Sequence, residues 1–264
     1  MTERADGSYS SAWRGFTKII VPPLVNSLMG HEWSGLENMR KLPADQGVIL
    51  AANHLSYADV LAMSLFSYRG GRYPVFLTKS SLFEKKLFGI VLRKLGMLPV
   101  YRGQADAALV LRDVERGLEK GAGVIFYPEA TVTRDPDQWP MVARTGAARV
   151  ALTTGSPVIP IAHWGAQRIL PYGGFHPHLL PRTTVKVAAG PPVDLSAFEG
   201  KPLNAPLLRE ATDVIMRDIT GLLAGLRGET PPERPYDPAA ARRRDAAARG
   251  GSADADTATE ATTK

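Results

Sequence analysis

The 264-residue chain has no cysteine, which removes disulfides, thiolate metal sites and a cysteine nucleophile in one step. Its chemistry must run on other side chains, and the composition suits a reducing cytoplasm. Long apolar runs are also missing: no stretch reaches the roughly 18 to 20 residues that cross a bilayer. The nearest, SAWRGFTKIIVPPLVNSLMG, is interrupted by Lys18, Pro22 and Pro23 and lacks the flanks and cleavage site of a signal peptide. Several signatures are absent as well. Without G-x-S-x-G there is no elbow serine, and without G-x-G-x-x-G or G-x-x-x-x-G-K-[ST] there is no nucleotide loop. Without H-E-x-x-H there is no zinc helix, and His163, His176 and His178, which carry no metal spacing, read as loop or core histidines. No metal, nucleotide or redox cofactor is therefore expected.

What is present is positive charge. The formal net charge is +6 and the pI is about 9.6, which predicts an anionic partner. From Arg227 onward seven basic residues face seven acidic ones, so the whole excess lies before that point. Lys79, Lys85, Lys86, Arg93, Lys94 and Arg102 face a single acid, Glu84. That density predicts a localised anion site, although a charge run is more often a solvated helix face. Nucleic acid is not expected, because the stretch lacks interleaved aromatics and no zinc, RNP or KH signature accompanies it.

The pattern predicts three parts. Residues 1–33 form an amphipathic segment, with Trp13, Phe16, Ile19, Ile20, Leu24, Val25 and Leu28 on one face of two short helices that lie in a membrane interface or cap the core. Residues 34–226 form the main domain. Residues 227–264, rich in Pro, Ala, Arg, Asp and Thr, read as a disordered tail. Within the domain, apolar β-rich runs (GVILAA, YPVFL, MLPVY, GVIFY, PVIPIAH, TTVKVAAG) alternate with helical ones, among them Tyr57 to Tyr68 and ADAALVLRDVERGLEKG. Such alternation predicts an α/β fold with a mixed, largely parallel sheet flanked by helices. Trp139 and Trp164 read as packing residues.

The sharpest local feature is NHLSYAD. On one continuous helix His54 and Asp59 would point about 140° apart. Ser56 is a natural N-cap, which leaves His54 in the strand-to-helix turn and lets the Asp59 carboxylate reach back to it. A carboxylate on one ring nitrogen fixes the tautomer and makes the other a better base. With no nucleophile beside it, that base suits a substrate hydroxyl. A capping box with His54 as a mere turn residue explains the same letters equally well.

Further matches favour the first reading. NHLSYAD resembles the N-H-x-x-x-x-D block of the glycerolipid acyltransferases, whose best-known members make phosphatidic acid from 1-acylglycerol 3-phosphate. LTKSSLFEKKLFG, GMLPVYRG, YPEAT and VIPIA resemble that family's later blocks in order, and the resemblance covers about Ser34 to Gly190. It implies a glycerol-3-phosphate acyltransferase-like fold, with His54 as base and Asp59 as its orienter. It further implies acceptor-binding roles for Lys79, Gly96, Arg102, Glu129 and Thr131, with Glu129 directed at the glycerol or at the arginines. The oxyanion would be held by amides after His54 or near Gly96. Two positions depart: Ala130 stands where the family has glycine, and Val132 where it often has arginine, leaving Arg134 as the nearest substitute. Also implied are a lysophospholipid acceptor, an acyl-CoA or acyl-carrier-protein donor, and a peripheral position on the cytoplasmic face of an anionic membrane.

Overall fold

The computed structural model describes residues 11–85, 89–90, 92–93, 97–100, 104–174 and 176–244. Its centre is a seven-stranded sheet in the order β1-β7-β6-β2-β5-β3-β4, with β1 Gly30–Ser34, β2 Val48–Ala52, β3 Pro74–Lys79, β4 Leu98–Val100, β5 Gly123–Phe126, β6 Val158–Trp164 and β7 Thr184–Ala189. Strands β2 to β6 are parallel, β7 runs antiparallel to β6, and β1 pairs parallel with β7. The carboxyl ends of five strands therefore share one edge.

Side-chain alternation sorts the core into two layers. On β2, Val48, Leu50 and Ala52 face the side covered by α1 Ser11–Leu28, α2 Leu36–Arg40, α3 Asp59–Arg69 and α6 Ala166–Ile169. Ile49 and Ala51 face the side covered by α4 Gln104–Glu119, α5 Gly146–Thr154 and α7 Ala205–Arg227. All five β2 residues are buried, the mark of a strand with helices on both faces.

Four findings differ from the expectation. The boundary at residue 33 falls inside β1, an edge strand whose letters, GHEWS, carry no apolar alternation; its pairing with β7 makes it a strand. Gly35, which follows it, has φ 77 and would put a Cβ 1.9 Å from the Ala189 carbonyl oxygen, so only glycine makes that turn. Pro22 and Pro23 do not divide α1, which runs through both. Its expected apolar face divides instead: Val25 is buried against α3, while Ile19, Ile20 and Leu24 point outward. The side chains of Trp13 and Phe16 lie outside the described residues. Finally, residues 228–244, expected in a disordered tail, pack on the domain. Met141 bridges Tyr236, and Asp237 accepts from the amides of Ala239 and Ala240 to open a short helix whose Asp-Pro start is a readable N-cap.

Candidate active site

The candidate catalytic turn grows from the end of β2. Beyond Ala52 the strand's ladder is continued by a side chain: the Asn53 carboxamide accepts from the His163 amide at 2.9 Å and donates to its carbonyl at 3.1 Å. The chain then turns through Ser56, whose hydroxyl accepts from the Ala58 amide at 2.9 Å and donates to the Leu170 carbonyl at 2.6 Å. Helix α3 starts at Asp59. The fully buried Asp59 Oδ2 accepts from His54 Nδ1 at 2.9 Å and from the amides of Leu55 and Ser56 at 2.8 and 2.9 Å. The two readings of NHLSYAD are therefore not alternatives, because one oxygen both caps the turn and holds the imidazole.

That carboxylate serves a second histidine. His163, fully buried on β6, places Nε2 at 3.3 Å from Asp59 Oδ2 and 2.7 Å from the Asn53 carbonyl. Both neighbours are acceptors, so Nε2 carries the proton. Burial pushes the Asp59 carboxyl up, but the charges and hydrogen bonds of His163 and His54 outweigh it and hold the group at about 2. Burial works against the charged form of His163 too, yet Asp59 prevails and raises its proton affinity. Sequence reading placed His163 among core histidines and missed this contact. The only signal was position: on the register of β2 with β6, His163 falls level with His54.

His54 is held from below as well. Its ring stacks on Tyr127 at 4.1 Å and 16°, and its carbonyl accepts from the Thr133 amide at 2.8 Å. The His54 amide donates to Glu129 Oε1 at 3.0 Å, and the Met141 amide donates to Oε2 at 3.0 Å. Glu129 is buried and spends both oxygens on backbone. It clamps the catalytic turn to the following loop, and the expected reach toward glycerol or arginine is not what its side chain does. Burial pushes its carboxyl up to about 8 against the pull of those two amides. The amides of His54, Leu55, Ser56 and Ala58 are all occupied within the protein, which leaves these four unavailable to an oxyanion.

The remaining candidates separate. Lys79 is exposed at the end of β3. The registers of β2 with β5 and of β5 with β3 put it within about one residue of the level of His54, two strands and roughly 10 Å across the edge. Arg134 is exposed and lines a groove of about 240 Å³ with Leu55, Thr133, Gln138, Gln167 and Tyr172. Thr131 is half-buried in the turn after Glu129, and Val132 is buried. Ala130 takes φ 60, so this chain adopts the left-handed turn that glycine would favour. Gly96 and Arg102 lie outside the described residues. A larger cavity, about 420 Å³, sits at the opposite edge against Gly47, Glu115 and Ser156 and holds none of the candidates.

The loop after Glu129 is pinned by stacking. The Arg227 guanidinium, from the last turn of α7, lies 4.1 Å from the centre of the Trp139 ring and 4.5 Å from that of Trp164. It also donates to the Asp137 carbonyl at 2.7 Å and pairs with Glu229. Both tryptophans are packing residues, as expected, with a cation between them.

A strand-end imidazole oriented by a buried carboxylate on a mostly parallel sheet is an arrangement that can draw a proton from a hydroxyl, and it differs from a nucleophile elbow. Residues 34–164 match the model of the Acyltransferase family. The chain is 30% identical over 143 residues to the chloroplastic 1-acyl-sn-glycerol-3-phosphate acyltransferase BAT2 of Brassica napus, covering 53% of this chain but only 38% of that relative. It is 26% identical over 191 residues to the 1-acyl-sn-glycerol-3-phosphate acyltransferase of Bacillus subtilis, covering 70% and 87%. The fold is shared with the 1-acyl-sn-glycerophosphate acyltransferase PlsC of Thermotoga maritima, with a TM-score of 0.57, 22% identity and 80% of each chain covered. Over residues 34–164, just under half of its length, the chain is therefore similar to the acyltransferase family.

Proposed function

We propose that the protein moves a fatty acyl group from a carrier thioester to the free hydroxyl of 1-acyl-sn-glycerol 3-phosphate, giving phosphatidic acid. The observation that carries this reading is the 2.9 Å bond between His54 Nδ1 and Asp59 Oδ2, which turns Nε2 to the open edge where the described residues give it no partner. In the reaction, Nε2 takes the acceptor hydroxyl proton as that oxygen attacks the thioester carbonyl. The tetrahedral intermediate collapses, the carbon–sulfur bond breaks, and the carrier thiolate leaves with the proton from His54. Asp59 stays charged and supports the imidazolium, and no acyl-enzyme forms. Lys79 and Arg134 hold the acceptor phosphate, with Arg102 assigned the same role from its block. Coenzyme A or acyl carrier protein supplies the acyl group, and the scheme needs no metal.

Lipid substrates place the reaction at a membrane surface. No described helix is long and apolar enough to cross a bilayer, and the outward Ile19, Ile20 and Leu24 of α1 suit adsorption to the cytoplasmic leaflet. A second reading, the same chemistry on a lysolipid without a phosphate monoester, is favoured by the buried Val132 at the position where the family often has arginine.

A purified-protein assay with labelled acyl thioester and a panel of lysolipids, with mass identification of the product, tests both. His54→Ala should lower turnover by about 10³ or more without loss of fold. Lys79→Ala should raise KM for a phosphorylated acceptor about tenfold with kcat little changed. Near-normal turnover of the His54 variant refutes the mechanism, and preference for a phosphate-free acceptor selects the second reading.

A further inference from the structure

Among the described residues, the loop between α6 and β7 carries a concentration of exposed apolar side chains. Leu180 is 88% exposed, and Leu179 and Tyr172 are exposed beside it. Such side chains are costly to leave in water, and a cluster of them on one loop marks a contact surface.

The loop's two ends show where that surface lies. It leaves the catalytic turn, where the Ser56 hydroxyl holds the Leu170 carbonyl at 2.6 Å and Tyr172 enters the groove beside Leu55 and Arg134. It ends against α1: Arg182 donates to the carbonyls of Asn26 and Met29, and the Gly30 amide donates to the Thr183 carbonyl at 2.9 Å. A strip of exposed apolar residues thus runs from the groove to the outward face of α1, where Ile19 is 71% exposed.

Charge identifies the occupant. Neither residues 11–28 nor residues 165–183 contain a single Asp or Glu, whereas they carry Lys18, Arg168 and Arg182, all exposed. At the junction His31 is exposed, and its partial desolvation, with Arg69 and Arg182 adding to it, lowers its proton affinity. Apolar side chains on two acid-free segments that carry exposed cations, with Asp135 the one acid lining the adjoining groove, complement an anionic lipid surface.

We infer that the loop carrying Tyr172, Leu179 and Leu180 is a second membrane-contact element, which seats its leucines in an anionic bilayer and opens the groove beside His54 toward the lipid. The inference rests on the reading of the protein as a lipid acyltransferase adsorbed through α1. Contact at both ends of the strip would fix the orientation of the catalytic edge, which one helix alone would leave free to rock.

The absence of cysteine makes the test direct. Leu180→Cys in the full chain, labelled with an environment-sensitive dye, should blue-shift on adding vesicles of phosphatidylglycerol and phosphatidylcholine, while a label at Thr153→Cys on the opposite edge should not. Leu179→Ser/Leu180→Ser should weaken vesicle binding about tenfold with unchanged turnover on a monomeric short-chain acceptor. Leu24→Asp tests α1 separately. If the parent and the loop variant bind alike, Leu24→Asp abolishes binding and the Leu180 label stays in water, the loop proposal falls and the α1 anchor stands. If the parent ignores anionic vesicles, both fall. If the double substitution instead converts a dimer to a monomer, the loop is an interface between copies and the proposal is wrong.

Discussion

Replacing Asp59 by Asn isolates the charge from the geometry. The Asn Oδ1 can occupy the place of Oδ2 and accept from His54 Nδ1, Leu55 and Ser56, while its amide takes the position of the carboxylate oxygen that has no hydrogen-bond partner among the described residues. The turn and the tautomer survive, and one negative charge beside the imidazole is lost. Unit charges about 4 Å apart interact by about 4 kcal/mol at an effective dielectric of 20. A full imidazolium in the transition state would thus lose about three orders of magnitude in rate, and partial proton transfer about two. Stability should change with it. A carboxyl held at about 2 against an ordinary 3.8 contributes about 2 kcal/mol that is fully present above the unfolded value and lost as pH falls through the folded one. The variant should therefore be less stable by roughly that amount at neutral pH, with a flatter stability curve between about pH 4 and 2. Single-turnover acyl transfer and urea melts at several pH values read the two effects. Turnover within about threefold of the parent would refute the assigned role of the charge.

Three other outcomes follow from packing. Ala130→Gly relieves a left-handed conformation costing about 1–2 kcal/mol against about 0.4–1 kcal/mol of added unfolded-state entropy; chemical denaturation should show a gain of about 0.5–1 kcal/mol, and a loss would contradict the strain. Arg72 is buried and donates to the carbonyls of Ala44, Leu42 and Pro43 at 2.7, 3.0 and 2.7 Å. Arg72→Met should cost about 3 kcal/mol or more in urea melts by orphaning them, and Arg72→Lys, lacking the fork, should recover only part of it. Arg227→Leu should shift the tryptophan fluorescence and lower kcat about tenfold with secondary structure retained; an unaltered kcat would show that the stack does not shape the site.

The central strands were legible because they are buried on both faces and read as continuous apolar runs, and His54 with Asp59 was legible because a turn signal separates them. Edge strand β1 was not, since half its surface faces water and its strand character comes from pairing with β7. The share of Asp59 taken by His163 could not be read from a histidine more than a hundred residues away, since it depends on which strands become neighbours. Nor could the fate of Glu129, because nothing in Y-P-E-A-T says that both carboxylate oxygens will be consumed by amides of the catalytic turn and of Met141. Arg227 was placed at the head of a loose tail for want of apolar periodicity after it, whereas two indoles enclose it.

That enclosure bears on the order in which the molecule matures. Every motif residue has been synthesised well before α7, yet the loop that steadies His54 is wedged by a side chain from that helix's final turn, bonded to a carbonyl 90 positions earlier. A nascent chain released short of Arg227 would display all the recognisable letters of the family and lack the wedge that steadies the loop, so the arrangement is finished only with the docking of α7.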